Sequence, residues 1–257
     1  YVAWAEGTVI PYPAEHVWTD FTAYASRFYA CEECQAAFRA HIKTLVERTN
    51  SISGVAYRDD PAILAWETGN ELYAPSEWTA DIAAFLKDLD SNHLVMDGAY
   101  GIDPASLSNP DIDIVSNHYY WPEGYGEDYA AAASADQALA AGQRPFVLGE
   151  FGFLATWRYE ELLEVALGEG IAGTMIWSLR FHDVHGGFYW HTEIDEGDWV
   201  VRAYHWPGFD SGDAYDEREV VGMMRDAAFA MARLHQTLGD HDSAIREARS
   251  LLSLCQT

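Results

Sequence analysis

Residues 61–75 read "PAILAWETGNELYAP", in which an apolar run leads without a break into Asn70 and Glu71. The run is short and lacks clean polar alternation, which is typical of a parallel strand buried on both faces. A carboxylate that follows such a strand carries a desolvation cost unless another group compensates it. Glu71 therefore needs a partner elsewhere in the chain.

Four further apolar runs alternate with helical patterns along the chain. The predicted strands are residues 63–66, 93–96, 112–116, 146–149 and 174–178, and the predicted helices are residues 34–49, 76–90, 127–141, 159–168 and 217–236. This alternation predicts an α/β fold with right-handed crossovers. Without a repeat or a linker, residues 1–257 are expected to form a single domain.

Polar and aromatic residues follow each predicted strand: "ETGNEL", "DGAYG", "NHYYWPEGY", "GEFGF" and "SLRFHDVHGGFYW". In a (β/α) barrel of the TIM type, the active site occupies this end of the strands. An open doubly wound sheet also binds ligands there, but the chain has no GxGxxG or P-loop motif to hold a nucleotide. The pattern favours the barrel.

The charge balance is strongly acidic: 41 Asp and Glu against 15 Lys and Arg, for a net charge of −26. Nucleic acid is excluded as a partner because a polyanion would be repelled. No apolar run approaches the ~18 residues of a transmembrane helix. The charge fits either an ordinary acidic protein or, as we expect, adaptation to high salt, which screens self-repulsion.

Two of the three cysteines form a CxxC motif, Cys31 and Cys34, in "FYACEECQAAF". The leading interpretation is that they are incidental residues of a helix. A local disulfide and a metal or redox role are the alternatives, but a zinc site needs ligands that are not evident in the sequence.

A second carboxylate, Glu150, ends the fourth predicted strand in "RPFVLGEFGF". Two carboxylates on strand ends at one face of a barrel suit glycoside hydrolysis, which needs one protonated acid and one ionised nucleophile or base. Neighbouring groups must push their two pKa values apart. Glu150 is therefore the candidate partner of Glu71.

Other polar and aromatic residues suit a sugar site. Asn70 is a candidate ligand for a sugar hydroxyl, His118 and Tyr120 for orienting or protonating the carboxylates, and Trp177 for the floor of the site. Further candidate sugar platforms are Tyr119, Trp121, Tyr125, Trp190 and Trp206. Core or loop packing is the alternative for each of these aromatic residues.

The ordered set "WETGNEL", "NHYY", "LGEFG" and "IWSLR" resembles glycoside hydrolase family 5, and "LVERTNSISGVAYRDDPAILAWETGNE" is particularly similar to its β-mannanase-like branch. The resemblance implies a retaining double displacement with Glu71 as the acid/base and Glu150 as the nucleophile. It places the two carboxyl groups about 5–5.5 Å apart. It also implies that Tyr120 hydrogen-bonds the nucleophile and that His118 tunes the pair.

The resemblance further implies a β-1,4-mannan or related β-glycan substrate, no cofactor, and secretion. A family 5 barrel has eight βα units, whereas the pattern here accounts for about five, so the first three are expected to be absent. The exposed sheet edges of such an incomplete barrel favour self-association. The competing function is a catalytically weak or dead carbohydrate-binding remnant.

The segment "FHDVHGGFYWHTE" contains His182, His185 and His191 close to carboxylates. Imidazole and carboxylate groups together suit a metal, but the spacing has no firm helical context. Substrate contact is favoured, with His182 as the candidate, and plain loop structure is the alternative. A metal-dependent hydrolase is the third function considered.

Overall fold

The computed structural model of the chain describes residues 25–120, 128–152, 154–180, 192–195, 198–201, 204–205, 208 and 216–237. Its helices are α1 Glu32–Val46, α2 Ser76–Leu89, α3 Pro104–Ser108, α4 Tyr129–Ala140, α5 Thr156–Glu169 and α6 Glu217–Thr237. Its longer strands are β1 Ala65–Glu67, β2 Leu94–Met96, β3 Val115–Tyr119, β4 Phe146–Phe151 and β5 Gly173–Ile176.

Four more short strands follow: β6 Leu179–Arg180, β7 Thr192–Asp195, β8 Asp198–Val201 and β9 Tyr204–His205. All five predicted strands and all five predicted helices are present, with their ends shifted by a few residues. The sequence did not predict α3 or β6 to β9. None of the described helices has the length and apolar character needed to cross a membrane.

The chain divides into two compact units, residues 1–116 with 142–145, and residues 117–141 with 146–257. The division falls inside β3, after Ser116. The assignment of residues 1–257 to one domain stays a prediction.

In the first unit, β1 and β2 pair in parallel, with Trp66 opposite Val95. A parallel bridge between Met96 and Ile114 continues this pairing toward β3. The expectation that the first strand is buried on both faces is wrong, since Leu64, directly before β1, is 72% exposed. Glu67, the last residue of β1, is exposed as well, so part of this strand faces solvent.

A buried polar network ties α2 to this sheet. Trp66 Nε1 donates to Asp90 Oδ2 over 2.7 Å, and His93 Nδ1 lies 2.6 Å from the same oxygen. His93 Nε2 lies 2.9 Å from the carbonyl oxygen of Asp60. Both ring nitrogens therefore face acceptors, an arrangement that favours the imidazolium form.

The two cysteines before and in α1 are joined. Cys31 and Cys34 form a disulfide with their Cα atoms 5.2 Å apart, so the leading interpretation of incidental helix residues is wrong. Cys31 is the N-cap of α1, and its Sγ accepts a hydrogen bond from the Cys34 N–H over 3.2 Å. The first helical turn brings the residue three positions later back over the cap, within reach of a disulfide.

In the second unit, β3, β4 and β5 form a sheet in that order. Every residue of β3 is buried, and Phe146, Leu148 and Phe151 of β4 are at most 1% exposed. β4 and β5 pair in parallel, with Leu148 opposite Thr174. Burial on both faces does not extend to β5, where Met175 is 48% exposed.

The start of α6 is held by buried polar contacts within the same unit. The backbone N–H of His205 in β9 donates to Glu217 Oε1, and His205 Nδ1 lies 3.0 Å from that oxygen. Burial raises the pKa of the Glu217 carboxyl, although His205 acts in the opposite direction. The backbone N–H of Asp216 also donates to Thr156 Oγ1 of α5 over 2.9 Å.

Candidate active site

Side chains alternate along β3, as the period of two in a strand requires. Asn117 Nδ2 and the Tyr119 hydroxyl both donate to Asp136 Oδ2 of α4, over 2.8 and 2.5 Å. His118 and Tyr120 occupy the alternate positions and contact Glu150. In the segment "NHYY", Asn117 and Tyr119 therefore bind a helix residue. His118 and Tyr120 contact Glu150, the candidate nucleophile.

Two groups converge on one oxygen of Glu150. The Tyr120 hydroxyl donates to Glu150 Oε2 over 2.5 Å, and His118 Nδ1 lies 3.5 Å from the same oxygen. The Glu150 side chain is 20% exposed and that of His118 is 6% exposed. These contacts hold a half-buried carboxylate in a fixed orientation while leaving part of it accessible.

Trp177 follows β5 directly and is half-buried. Its backbone N–H donates to the Phe151 carbonyl over 2.9 Å. A Cβ atom at Gly152 would clash with the Trp177 carbonyl oxygen and would lie 3.4 Å from the Tyr120 ring. Gly152 therefore lets the backbone at Trp177 approach the end of β4 closely, next to Tyr120.

In the first unit, Glu71 lies on the loop after β1 with a φ of 51°, the left-handed region that non-glycine residues rarely adopt. The Leu72 N–H donates to the Gly98 carbonyl over 2.9 Å, and the Gly98 N–H donates to Thr68 Oγ1 over 2.9 Å. These bonds on both sides of Glu71 hold its loop against the loop after β2. Backbone outliers held in this way are common at functional sites.

The two candidate residues on this loop differ in exposure. Asn70 is exposed and Glu71 is half-buried, whereas Thr68 is only 2% exposed. A Cβ atom at Gly98 would overlap the backbone of Gly69. The loop thus packs its backbone tightly, with the Asn70 side chain exposed and that of Glu71 half-buried.

A stacked tyrosine pair beside Glu71 was not predicted. Tyr73 and Tyr100 follow β1 and β2, with ring centroids 5.7 Å apart and planes inclined by 27°. They are 59% and 38% exposed. The signal that could have found them is their position, since both lie a few residues beyond the ends of paired strands.

Other predicted site residues are either part of the core or outside the described residues. Tyr119 is fully buried and bonded to Asp136, so its interpretation as a sugar platform is wrong and the packing alternative holds. Seven other candidates lie outside the described residues: Trp121, Tyr125, His182, His185, Trp190, His191 and Trp206.

A family profile described as GH family 5 β-mannosidase-like matches residues 1–153. The tomato (Solanum lycopersicum) protein named mannan endo-1,4-beta-mannosidase 1 is 29% identical over 224 residues, covering 66% of this chain and 56% of its own length. The rice protein (Oryza sativa subsp. japonica) named putative mannan endo-1,4-beta-mannosidase 5 is 29% identical over 278 residues, covering 90% of this chain and 51% of its own. The chain thus spans about half the length of these curated relatives.

Among solved structures, a glycoside hydrolase family 5 mannosidase from Rhizomucor miehei superposes with a TM-score of 0.71 at 22% identity, covering 93% of this chain and 69% of that one. The endo-β-1,4-mannanase from Thermotoga petrophila has a TM-score of 0.63 at 22% identity, with coverage of 87% and 54%. These likenesses confirm the predicted fold class, an α/β fold of the (β/α) barrel type.

Proposed function

Because this chain belongs to the glycoside hydrolase family 5 β-mannosidase-like family, we propose that it is a retaining glycoside hydrolase that cleaves β-1,4-mannan or a related β-glycan. The relatives named as mannan endo-1,4-beta-mannosidases support the substrate class. Secretion follows only from a polysaccharide substrate and stays a prediction, as does the absence of a cofactor.

The observation that carries the proposal is the contact of Tyr120 and His118 with a single oxygen of Glu150. A nucleophilic carboxylate must meet the anomeric carbon along a defined line, and fixed orientation lowers the barrier to such a reaction. A hydroxyl donor at 2.5 Å provides that orientation. Glu150 is accordingly the nucleophile, with Tyr120 and His118 as its positioning residues.

The reaction proceeds in two steps. A Glu150 oxygen bonds to the anomeric carbon as the glycosidic bond breaks, and the Glu71 carboxyl gives its proton to the departing oxygen. Glu71 then takes a proton from water, whose oxygen displaces Glu150 from the anomeric carbon. The sugar keeps its configuration, and both carboxyl groups return to their starting states.

Three further roles complete the proposal. Asn70, exposed on the loop of Glu71, binds a hydroxyl of the sugar next to the scissile bond. Trp177, beside Tyr120 and Gly152, forms the floor of the sugar site. Trp121, His182 and Trp190 stay candidate substrate contacts on the basis of the sequence alone.

Two substitutions test the assignment of the carboxylates. In Glu150→Gln and Glu71→Gln, hydrolysis of mannan is expected to fall by at least ~10³-fold, because each variant removes a group that forms or breaks a bond. Glu71→Gln should keep most of its first-step rate on a substrate with a good leaving group, which needs no proton. Reducing-sugar release and a burst of the leaving group measure the two effects.

The competing function gives a different result. A carbohydrate-binding remnant would bind mannan in the unsubstituted protein without releasing reducing sugar, and neither substitution would alter that outcome. Hydrolysis that survives both substitutions would remove Glu71 and Glu150 from the mechanism.

A further inference from the structure

An exposed tyrosine pair lies on the loops after β1 and β2, with Tyr73 two residues beyond Glu71. Tyr73 and Tyr100 expose 59% and 38% of their surface, although large aromatic side chains are usually well buried. Their rings stack on each other with centroids 5.7 Å apart. Together they present a broad apolar surface with two hydroxyl groups attached.

This surface is rigidly built. The Tyr100 N–H donates to the Leu72 carbonyl over 3.1 Å, and the Leu72 N–H donates to the Gly98 carbonyl over 2.9 Å. The parallel bridge between Leu72 and Ala99 fixes the same register. The bond of Tyr100 itself and those of Leu72, next to Tyr73, fix the main chain beneath the two stacked rings, which lowers the ordering cost of binding.

The pair lies close to the proposed acid/base. Tyr73 is two residues beyond Glu71 on the same loop. Burial, then Tyr100, then the charge of Glu71 raise the pKa of the Tyr73 hydroxyl, so the carboxylate is near enough to act on it electrostatically. Since Glu71 protonates the departing oxygen in the proposed reaction, groups beside Glu71 face the leaving half of the substrate.

We infer that Tyr73 and Tyr100 form a platform that binds the pyranose ring on the leaving-group side of the scissile bond. This inference rests on the proposed function. A sugar ring offers an apolar C–H face that packs on an aromatic surface and a rim of hydroxyl groups that the phenol oxygens can bind. The platform contributes binding energy to a leaving sugar that a leaving group without a ring cannot use.

The test compares two substrates that share the glycosyl half. Tyr73→Ala and Tyr100→Ala should each lower kcat/KM on mannopentaose about tenfold, mainly through KM, because an aromatic packing contact is lost. On mannobiosyl fluoride, whose leaving group has no ring, both variants should match the unsubstituted protein. Tyr73→Phe keeps the ring but loses the phenol oxygen, so its loss on mannopentaose should be smaller than that of Tyr73→Ala, with no loss on the fluoride.

An exposed aromatic residue elsewhere provides the control. Trp157 of α5 is 53% exposed, and Trp157→Ala should leave both substrates unaffected. An equal loss on mannopentaose and on the fluoride would overturn the platform, since it would indicate disturbance of Glu71 itself. No loss on mannopentaose would overturn it as well.

Binding separates the failure of this inference from the failure of the proposed function. Tyr73→Ala is introduced into the unsubstituted protein and into Glu150→Gln. In both, isothermal titration calorimetry with mannotetraose should show weaker binding than in the parent. If no substrate is hydrolysed but this difference is found, the platform stands and the enzymatic function fails. If Tyr73→Ala binds as tightly as the parent, or neither binds, the platform is contradicted.

Discussion

At the scale of single residues, Tyr119 makes a structural contact and its neighbour Tyr120 contacts the candidate nucleophile. Both hydroxyls donate to a carboxylate over 2.5 Å, one to Asp136 of α4 and the other to Glu150. The residues are adjacent, so their side chains point to opposite faces of β3. The same substitution should therefore affect kcat at one position and the free energy of unfolding at the other.

Tyr120→Phe removes the donor to Glu150 and should lower kcat about 10- to 100-fold, since a hydrogen bond to a charged group contributes ~1.5–3 kcal/mol. Thermal stability should change little. Tyr119→Phe should instead lower the free energy of unfolding by ~1–3 kcal/mol, because a buried polar contact is lost, and leave kcat unchanged. Steady-state kinetics and thermal melts on both variants check this, and equal kinetic losses would contradict the assignment.

The Asp90–His93 pair makes a prediction about pH. Burial raises the pKa of Asp90, but hydrogen bonds from Trp66 and His93 outweigh it, so the pKa lies below 3.8. Burial lowers the pKa of His93, but Asp90 and the Asp60 carbonyl outweigh it, so the pKa lies above 6.5. The stability from His93 is complete below pH 6.5 and is lost as pH rises through its folded pKa. The stability from Asp90 is complete above pH 3.8 and is lost as pH falls.

Melting temperatures should therefore decline as the pH rises from about 6 to about 9, and His93→Gln should flatten this decline. His41, an exposed residue of α1, supplies the control His41→Gln, which should keep the slope of the parent. If His93→Gln melts with the same pH slope as the parent, His93 is not the group responsible.

At the scale of elements, the loops after β1 and β2 hold Glu71 through Thr68 and Gly98. Thr68→Val keeps the shape of the side chain but leaves the Gly98 N–H without its acceptor. We expect kcat on manno-oligosaccharides to fall about tenfold, with a smaller loss on a fluoride substrate that needs no proton. Thr68→Ser restores the hydroxyl and should recover the rate, whereas equal losses on both substrates would indicate a general structural role.

The sequence predicted most where the two-residue period of a strand and the position of its end determine which side chains lie at the candidate site. It predicted five strands, the position of Glu150 at the end of β4, and the reach of His118 and Tyr120 toward the carboxylate. It did not predict the positive φ of Glu71 or the exposure of Tyr73 and Tyr100, because these depend on bonds to a loop about 25 residues away. The Cys31–Cys34 disulfide was only an alternative in the sequence, because the helical pattern concealed the extended N-cap residue.

At the scale of the whole molecule, the net charge of −26 produces self-repulsion that salt screens. Between about 0.1 M and about 1 M NaCl the Debye length shortens from ~10 Å to ~3 Å, so the melting temperature should rise over this range. A neutral solute at equal osmolality is the control. A melting temperature that falls with added salt would reject adaptation to high salt.

Self-association stays a prediction. Apolar side chains beside β1 and in β2, Leu64 and Leu94, are 72% and 38% exposed, which fits a surface that pairs with another copy. Light scattering in the same salt series gives the mass, and a monomer at micromolar concentration would contradict self-association.

In the proposed reaction Glu150 forms a covalent bond to the sugar, and trapping that intermediate tests this step. A 2-deoxy-2-fluoro-manno-oligosaccharyl fluoride slows both steps but keeps a good leaving group, so the glycosyl-enzyme should accumulate. Mass spectrometry should show one added glycosyl group per chain, located by peptide mapping on Glu150 and absent from Glu150→Gln. An adduct on another residue, or mannan hydrolysis with inversion and no adduct, would contradict the account.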